Sequence, residues 1–375
     1  MKIGYVIGAL CRGGAELQLM RLAEGLTQRG HHVHLLAYDG ASPFDDVLRK
    51  ASVSVTVGHP RSRFAKFLTV RRWLLDNDFD LVHAVLKHAS RLTVLARQPR
   101  RTPPVVVTDI STATYDVRGV VPWITLLTYA GAACVVTENE VNRANLDRRA
   151  PWLRGKTRLI RNGLDVDRFA AARGSCTEDA AVPFVFCVVA TVHAPKNPRR
   201  VVDAVAELKR RGHAGFRVDW YGRLGLREDA AEAERVLAYA AACDVSGHLL
   251  FHGDVADVEE AYRRSDALLH VALREGFPNA VAEGMASGLP IVVSKVSDLP
   301  QLVAEADNGY LVDQTSATSI ADGMERMLRT PRTVHAEMGR RSRELAARWF
   351  AMDRYVDDYE RLYWELLSES RGRRC

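Results

Sequence analysis

The stretch FVFCVVATVHAPKNPRRVVDAVAELKRRG, residues 184–212, decides the fold. An apolar strand runs into a short loop, and the loop into a helix that opens at Pro198, a residue favoured in the first helical position. The helix closes at Gly212, and FRVDWYG (216–222) supplies the next strand. Strands that are apolar along their length and separated by helices pair in parallel and are covered on both faces. The same alternation continues C-terminally. A helix rich in Ala and Glu (228–243) leads to HLLFHG (248–253), a helix at VEEAYRRS (258–265), and strands at DALLHVA (266–272) and PIVVS (290–294).

The N-terminal half repeats the pattern. KIGYVIG (2–8), HHVHLLAY (31–38), VSVTV (53–57), FDLVHAV (79–85), PPVVVTD (103–109) and ACVVTE (133–138) read as strands. Between the first two, Leu17, Met20, Leu22 and Leu26 fall mostly on one side of a helix. AAARGSCTEDAAVP (170–183) has linker composition. The expectation is therefore an α/β protein of two doubly wound Rossmann-like domains, 1–169 and 182–349, joined by a linker at 170–181 and facing a central cleft. A helical region at about 335–368 precedes the basic tail RGRRC, and its part at about 350–368 is expected to pack back onto the first domain. Open α/β sheets bind ligands at the carboxyl ends of their strands.

The bulk numbers agree with two globular domains. The chain has 375 residues, 47% hydrophobic and 26% charged, which excludes a disordered chain. A net charge of +6 suits polyanionic ligands or an acidic membrane face, and equally serves solubility. The six cysteines form no CxxC, and Cys134 and Cys187 sit in apolar runs as small hydrophobes, so a reducing, cytoplasmic compartment is expected. MKIGYVIGALC resembles an export signal but its apolar core is too short. The uncharged GVVPWITLLTYAGAACVVT (119–137) nearly reaches bilayer length, yet Pro122, Gly131 and a β-branched end read as a buried helix running into a core strand. No nucleic-acid motif or strongly basic stripe is present.

Three loops carry candidate chemistry. CRGGAE (11–16) lacks both GxGxxG and GK[ST], but Gly13 and Gly14 lie between strand and helix, where backbone N–H groups can approach an anion. The alternative is a plain turn. In ATVHAPKNPRR (190–200), Lys196 stands before a helix and would add to its positive end; the alternative is a solvated surface lysine. In EGFPNAVAEGMASG (275–288), Pro278 and Asn279 open a short helix that Gly288 closes. Its first N–H groups, near 277–280, can hold a phosphate. Glu275 outside the helix suits hydroxyls or positive charge developing on a sugar, and Glu283 one turn inside suits a vicinal diol such as ribose. Glu283 is otherwise an exposed acid favoured by the helix dipole. Phosphate donors in three loops and two carboxylates describe a site for a nucleoside-diphosphate sugar.

These residues resemble a known family, the retaining GT-B glycosyltransferases of family 4, over nearly the whole chain. EGFPNAVAEGMASGLPIVVS (275–294) matches its E-x7-E block and LIRNGLDVDRF (159–169) its interdomain element. GGAE (13–16) and NGYLV (308–312) match weaker features. The resemblance implies a hexosyltransferase acting with retention, in glycan, exopolysaccharide or glycoconjugate biosynthesis. It implies Glu275 at the donor sugar, Glu283 on the ribose and the backbone of Gly276, Phe277, Pro278, Asn279 and Ala280 on sugar and diphosphate. It places Lys196 on the phosphates, Gly14 with Gly13 at the distal phosphate, and the base near FHGDV (251–255).

There are departures. Thr191 stands where many members carry a phosphate-binding Arg, leaving Arg199, Arg200 or Arg223 as substitutes. Asp109 and Ile110 stand where many carry an acceptor-side His, so Glu16, Asp109 and His88 are the acceptor candidates. His83 and His88 otherwise read as caps of the sheet edge. No metal and no cofactor is expected: DVD (165–167) is a short match inside the interdomain element.

The expected partners are a nucleotide sugar and an acceptor glycan, lipid-linked sugar or small molecule. Alternatives keep the fold and change the reaction, to a nucleotide-sugar epimerase, a phosphorylase or a small-metabolite transferase. A two-lobed sugar-binding protein would need an export signal. RSRFAKFLTVRRWLL (61–75) mixes Arg61, Arg63, Lys66, Arg71 and Arg72 with Phe64, Phe67, Leu68 and Trp73, which reads either as a helix packing on the sheet or as peripheral membrane association at the inner face.

Overall fold

A computed structural model describes residues 1–10, 13–40, 48, 51–98, 101–109, 120–170, 183–225 and 230–372. The chain divides into two compact units, 1–163 with 352–375, and 164–351.

The first unit is built on seven strands: β1 Lys2–Ile7, β2 His32–Ala37, β3 Ser54–Val57, β4 Leu81–Val85, β5 Val105–Asp109, β6 Cys134–Thr137 and β7 Thr157–Leu159. They lie in the order β3-β2-β1-β4-β5-β6-β7, every neighbouring pair parallel. Ile3, Tyr5 and Ile7 of β1 face one core with Leu19, Leu22 and Leu26 of the Gly14–Gln28 helix and Tyr355, Tyr359 and Tyr363 of the Met352–Gly372 helix. Val6 faces the opposite core with Val70 and Trp73 of the Arg63–Asp76 helix and Leu126 and Tyr129 of the Val120–Tyr129 helix. Two buried faces are the reason the central strands β1, β4, β5 and β6 are mostly apolar.

The second unit has β8 Phe184–Val189, β9 Phe216–Tyr221, β10 Leu249–Gly253, β11 Ala267–His270, β12 Ile291–Ser294 and β13 Gly309–Val312, all parallel in the order β10-β9-β8-β11-β12-β13. Phe184, Phe186 and Val188 pack on the Pro198–Arg210 and Ala317–Arg329 helices, and Cys187 on the face that holds the Asn279–Ala286 and Arg332–Phe350 helices. The strand order reverses between β8 and β11, so the loops after these two strands flank a topological switch point.

The helical region at about 335–368 is two helices, broken at Ala351 (φ −53°, ψ 134°), and they belong to different units. Two expectations are revised. Leu164–Phe169, assigned from sequence to the first domain, belongs to the second: Leu164 N–H donates to Phe350 O at 2.6 Å, and Leu164 and Phe169 enter the core beside Tyr262. The stretch read as a buried helix is the Val120–Tyr129 helix, followed by β6, yet Trp123, Ile124 and Leu127 lie at the surface, with the Trp123 ring 6.3 Å from that of Trp152. In the Arg63–Asp76 helix, Trp73 is core and Lys66 pairs with Asp39 at 2.5 Å, while Phe64 and Leu68 are exposed. Among the described residues no helix is long and apolar enough to cross a membrane. The 171–182 part of the expected linker lies outside the described residues.

Candidate active site

The loop after β8 and the loop after β11 are tied together by one asparagine. Asn197 adopts the left-handed conformation (φ +62°, ψ 37°), which Asn tolerates better than most residues. Its buried amide donates to Val271 O at 3.0 Å and Gln314 O at 2.7 Å. Leu273 N–H donates to Pro195 O at 2.9 Å. These bonds hold the single 3-10 turn Ala194–Lys196 against the loop that carries Glu275.

Lys196 Nζ and Glu275 Oε1 form an ion pair there. His270, the last residue of β11 and 3% exposed, places Nε2 3.1 Å from the same oxygen. Burial alone would raise the Glu275 pKa, but the hydrogen bond and charge of His270 and the charge of Lys196 outweigh it and lower it to about 2. Glu275 is thus a mostly buried, ionised carboxylate with two donors on one oxygen. Among the described residues its Oε2 has no protein partner.

The Asn279–Ala286 helix begins beside it. Its N-cap is Pro278, whose side chain makes no cap. The first N–H groups of a helix are of the kind that bind anions. Phe277 turns inward: its ring lies 4.9 Å from that of Phe350, so its side chain anchors the loop and only its backbone can serve a ligand. Ser297 Oγ donates to Gly276 O. Glu283, expected as a diol acceptor or a free surface acid, accepts from Tyr262 OH at 2.9 Å, and the same hydroxyl lies 3.3 Å from Ala280 O. Burial first, and then the Glu283 charge, push this phenol well above its ordinary pKa, so it remains a donor. Gly288 (φ +76°) ends the helix.

Around Thr191 the three candidate substitutes separate. Arg199 lies 4.6 Å over the Tyr239 ring of the Ala230–Ala242 helix and Arg200 pairs with Asp203 of its own helix at 3.0 Å, so both are engaged. Arg223 is joined to the Thr191 loop through its backbone, its carbonyl accepting from Val192 N–H at 2.9 Å. Its exposed guanidinium makes no ion pair among the described residues.

In the first unit, Cys11 and Arg12 lie outside the described residues, as does Ile110. Gly13 is the N-cap of Gly14–Gln28, with no side-chain cap, and the Glu16 carboxylate folds back beside it. Burial raises the Glu16 pKa, with a bond from its own backbone acting against it. Asp109 ends β5, fully buried. Burial lowers the Lys87 pKa, opposed by the charge of Asp109. His88 Nδ1 shares a hydrogen bond with Tyr38 OH at 2.7 Å, and burial, then the charge of Arg91, lower its pKa. His83 is no edge cap. It sits inside β4, fully buried, between Tyr363 OH (2.7 Å) and Thr108 Oγ1 (2.5 Å), and burial drives it down to about 3. Asp165 of the DVD motif accepts from Arg168 N–H at 3.1 Å, a local helix cap. No group of three or more His, Cys, Asp or Glu positioned for a metal occurs among the described residues. Cys134 and Cys187 are buried free thiols, each pushed up to about 12 chiefly by burial.

Sequence reasoning missed His270, Tyr262, Asn197 and Ser297. Only His270 carried a visible signal: a polar ring closing an apolar strand five residues before Glu275.

Comparison with known proteins follows the two halves. The glycosyltransferase family 4 model matches residues 12–168, and the glycosyl transferases group 1 model matches residues 179–345. A phosphatidyl-myo-inositol mannosyltransferase of Mycolicibacterium smegmatis is 28% identical over 339 residues, 82% of this chain and 79% of that one. An N-acetyl-alpha-D-glucosaminyl L-malate synthase of Bacillus anthracis is 28% identical over 150 residues, 40% of this chain and 39% of that one. The fold is that of Anabaena HepE, solved in complex with UDP: TM-score 0.84 at 18% identity, covering 97% of this chain and 100% of that chain. With a glycosyltransferase family matched by each half and the two parallel sheets shared with GT-B structures, the chain belongs to the GT-B glycosyltransferases of family 4.

Proposed function

We propose that the chain transfers a sugar from a nucleoside-diphosphate sugar to an acceptor hydroxyl, with retention of anomeric configuration, in glycan or glycoconjugate synthesis. The observation that carries this reading is the Lys196–Glu275 pair beside the start of the Asn279–Ala286 helix. A cation, a row of backbone donors and a carboxylate with one oxygen left over suit a diphosphate joined to a polyol. The UDP-bound state of HepE and the mannosyltransferase activity named for the mycobacterial relative support the same substrate class.

In this reading the diphosphate docks against the 276–280 backbone and draws the Lys196 ammonium away from Glu275. Arg223 supplies the second positive charge that Thr191 does not. Glu283, fixed by Tyr262, takes the ribose hydroxyls. The bond between the anomeric carbon and the β-phosphate oxygen breaks, and its electron pair stays on that oxygen. The acceptor oxygen bonds the carbon from the face the phosphate leaves, and the acceptor proton passes to the departing phosphate. The products are a nucleoside diphosphate and a glycoside. Lys196 and the helix amides act on the charge that grows on the leaving group, where such donors contribute most.

Thermal shift with UDP-, GDP- and ADP-sugars identifies the donor. Lys196→Ala and Arg223→Ala are expected to weaken binding of the corresponding nucleoside diphosphate about tenfold, the scale of one charge-assisted contact, and Glu275→Ala to lower kcat about 100-fold. Near-native kcat/KM in both Lys196→Ala and Glu275→Ala refutes the assignment. Exposed Phe64 and Leu68 beside Arg63 and Arg72 favour peripheral association with anionic lipid, and hence a lipid-linked acceptor. Liposome flotation with and without anionic lipid tests this.

A further inference from the structure

We propose that His270 is a positioning residue: it holds one oxygen of Glu275 so that the other is presented to the donor sugar, and it keeps holding that oxygen when Lys196 turns to the diphosphate. This rests on the reading of Glu275 given above and adds a residue to it.

The geometry separates the two donors on Oε1. Lys196 is a point charge on a flexible four-carbon stem, and the same ammonium is claimed by the diphosphate. Once it leaves, Glu275 has a single protein donor. His270 cannot follow a ligand. It stands at the end of β11, between β8 and β12, and is almost fully buried. Glu275 is the ring's one hydrogen-bond partner among the described residues. An ionised carboxylate only accepts, so Nε2 carries the proton. Burying an imidazole at the end of an apolar strand is costly unless its polar atoms are used; a strand end needing only volume would be served by Leu. With Oε1 bound from behind, the carboxylate plane is set and Oε2 is the acceptor left for a sugar hydroxyl. A free carboxylate there would rotate, and a misplacement of about 1 Å can cost on the order of 100-fold in rate.

The test compares His270→Gln, which keeps an N–H donor of similar reach, with His270→Leu, which keeps volume alone. The donor is whichever of UDP-glucose, GDP-mannose and ADP-glucose stabilises the wild-type protein, and turnover is read as nucleoside diphosphate released with water as acceptor. Expected for His270→Leu is a 10- to 100-fold fall in kcat, roughly the cost of mispositioning, with binding of the bare nucleoside diphosphate within about twofold. That retained binding also reports a folded protein. His270→Gln should recover most of the rate. In a Glu275→Gln background, His270→Leu should cost little more, because its effect passes through Glu275. Full activity in His270→Leu while Glu275→Ala is crippled overturns this inference alone, as does a His270→Gln variant as slow as His270→Leu. Full activity in Glu275→Ala overturns the underlying reading as well. Should His270→Leu fail to bind nucleotide, His270→Gln decides: native rate with the Nε2–H resonance of His270 in wild type moving on Glu275→Gln supports the role, and an unmoved resonance overturns it.

Discussion

At the scale of single residues, the central feature is a carboxylate pushed below its ordinary range while buried. Burial acts against the charge on Glu275, yet His270 and Lys196 bring it from 4.5 to about 2. A depressed carboxylate pKa contributes stability that is fully present above the unfolded value and is lost as pH falls through the folded one. The window here runs from about 4.5 down to 2. Glu275→Gln keeps the shape and removes the charge. It should melt below wild type at pH 7, and the gap should narrow once the pH drops under about 4.5, where unfolded carboxylates begin to protonate. Melting temperatures of both proteins between pH 7 and pH 3 check this; a gap that stays constant across the range would mean that the charge is not what the pocket stabilises. It also follows that an acidic limb of activity near pH 5 or 6 belongs to some other group.

At the scale of elements, the loops after β8 and β11 work because the backbone around them is closely packed. Gly222 follows β9 with φ +140°, and a Cβ there would sit 2.2 Å from Ala190 O, the carbonyl that also accepts from Trp220 Nε1 at 2.7 Å. Gly222→Ala meets both a conformation L residues rarely adopt and a backbone atom that cannot yield. The expected outcome is a loss of about 2–4 kcal/mol, with nucleotide binding weakened because the shifted peptide leads directly into Thr191. Urea unfolding and nucleotide titration of the variant measure the two effects; unchanged values in both would show that the loop has slack. The same packing explains what was readable beforehand. Strand and helix alternation was legible because each β1- or β8-type strand is buried on both faces and leaves an unbroken apolar run. The E-x7-E block was legible as a candidate because short-range spacing alone places an acid, a helix start and a second acid in sequence, whereas the meeting of Lys196 with Glu275, 79 residues apart, belongs to the fold. His270, Tyr262, Asn197 and Ser297 were not, because they act across 5 to 117 residues through folded contacts such as Asn197 to Gln314. The exact residue at which the two helices part, Ala351, shows only in the fold, where Phe350 and Tyr355 enter different cores.

At the scale of the whole molecule, the chain leaves the first unit at Gly163 and comes back to it at Met352, so the C-terminal helix completes a core whose other members are all N-terminal. Tyr355, Tyr359 and Tyr363 are buried against β1, β4 and the Gly14–Gln28 helix, and Tyr363 OH bonds both Tyr5 OH (2.9 Å) and His83 (2.7 Å). Removing 352–375 strips three aromatic side chains from this face. At roughly 1.5–3 kcal/mol each for apolar burial, and with two buried polar groups left without their partner at about 1–3 kcal/mol apiece, the loss is comparable to the whole stability of a typical domain, about 5–15 kcal/mol. The core of 164–351 contains none of these residues. Truncation after Ala351 should therefore unfold the first unit and spare the second. Limited proteolysis read by mass spectrometry should place the early cleavages within residues 1–163, while a fragment spanning 164–351 persists with its Cys187 thiol still unreactive until denaturant is added. A truncated chain as resistant over 1–163 as the full-length protein would show that the seven-stranded sheet holds its own core, and that the returning helix merely covers it.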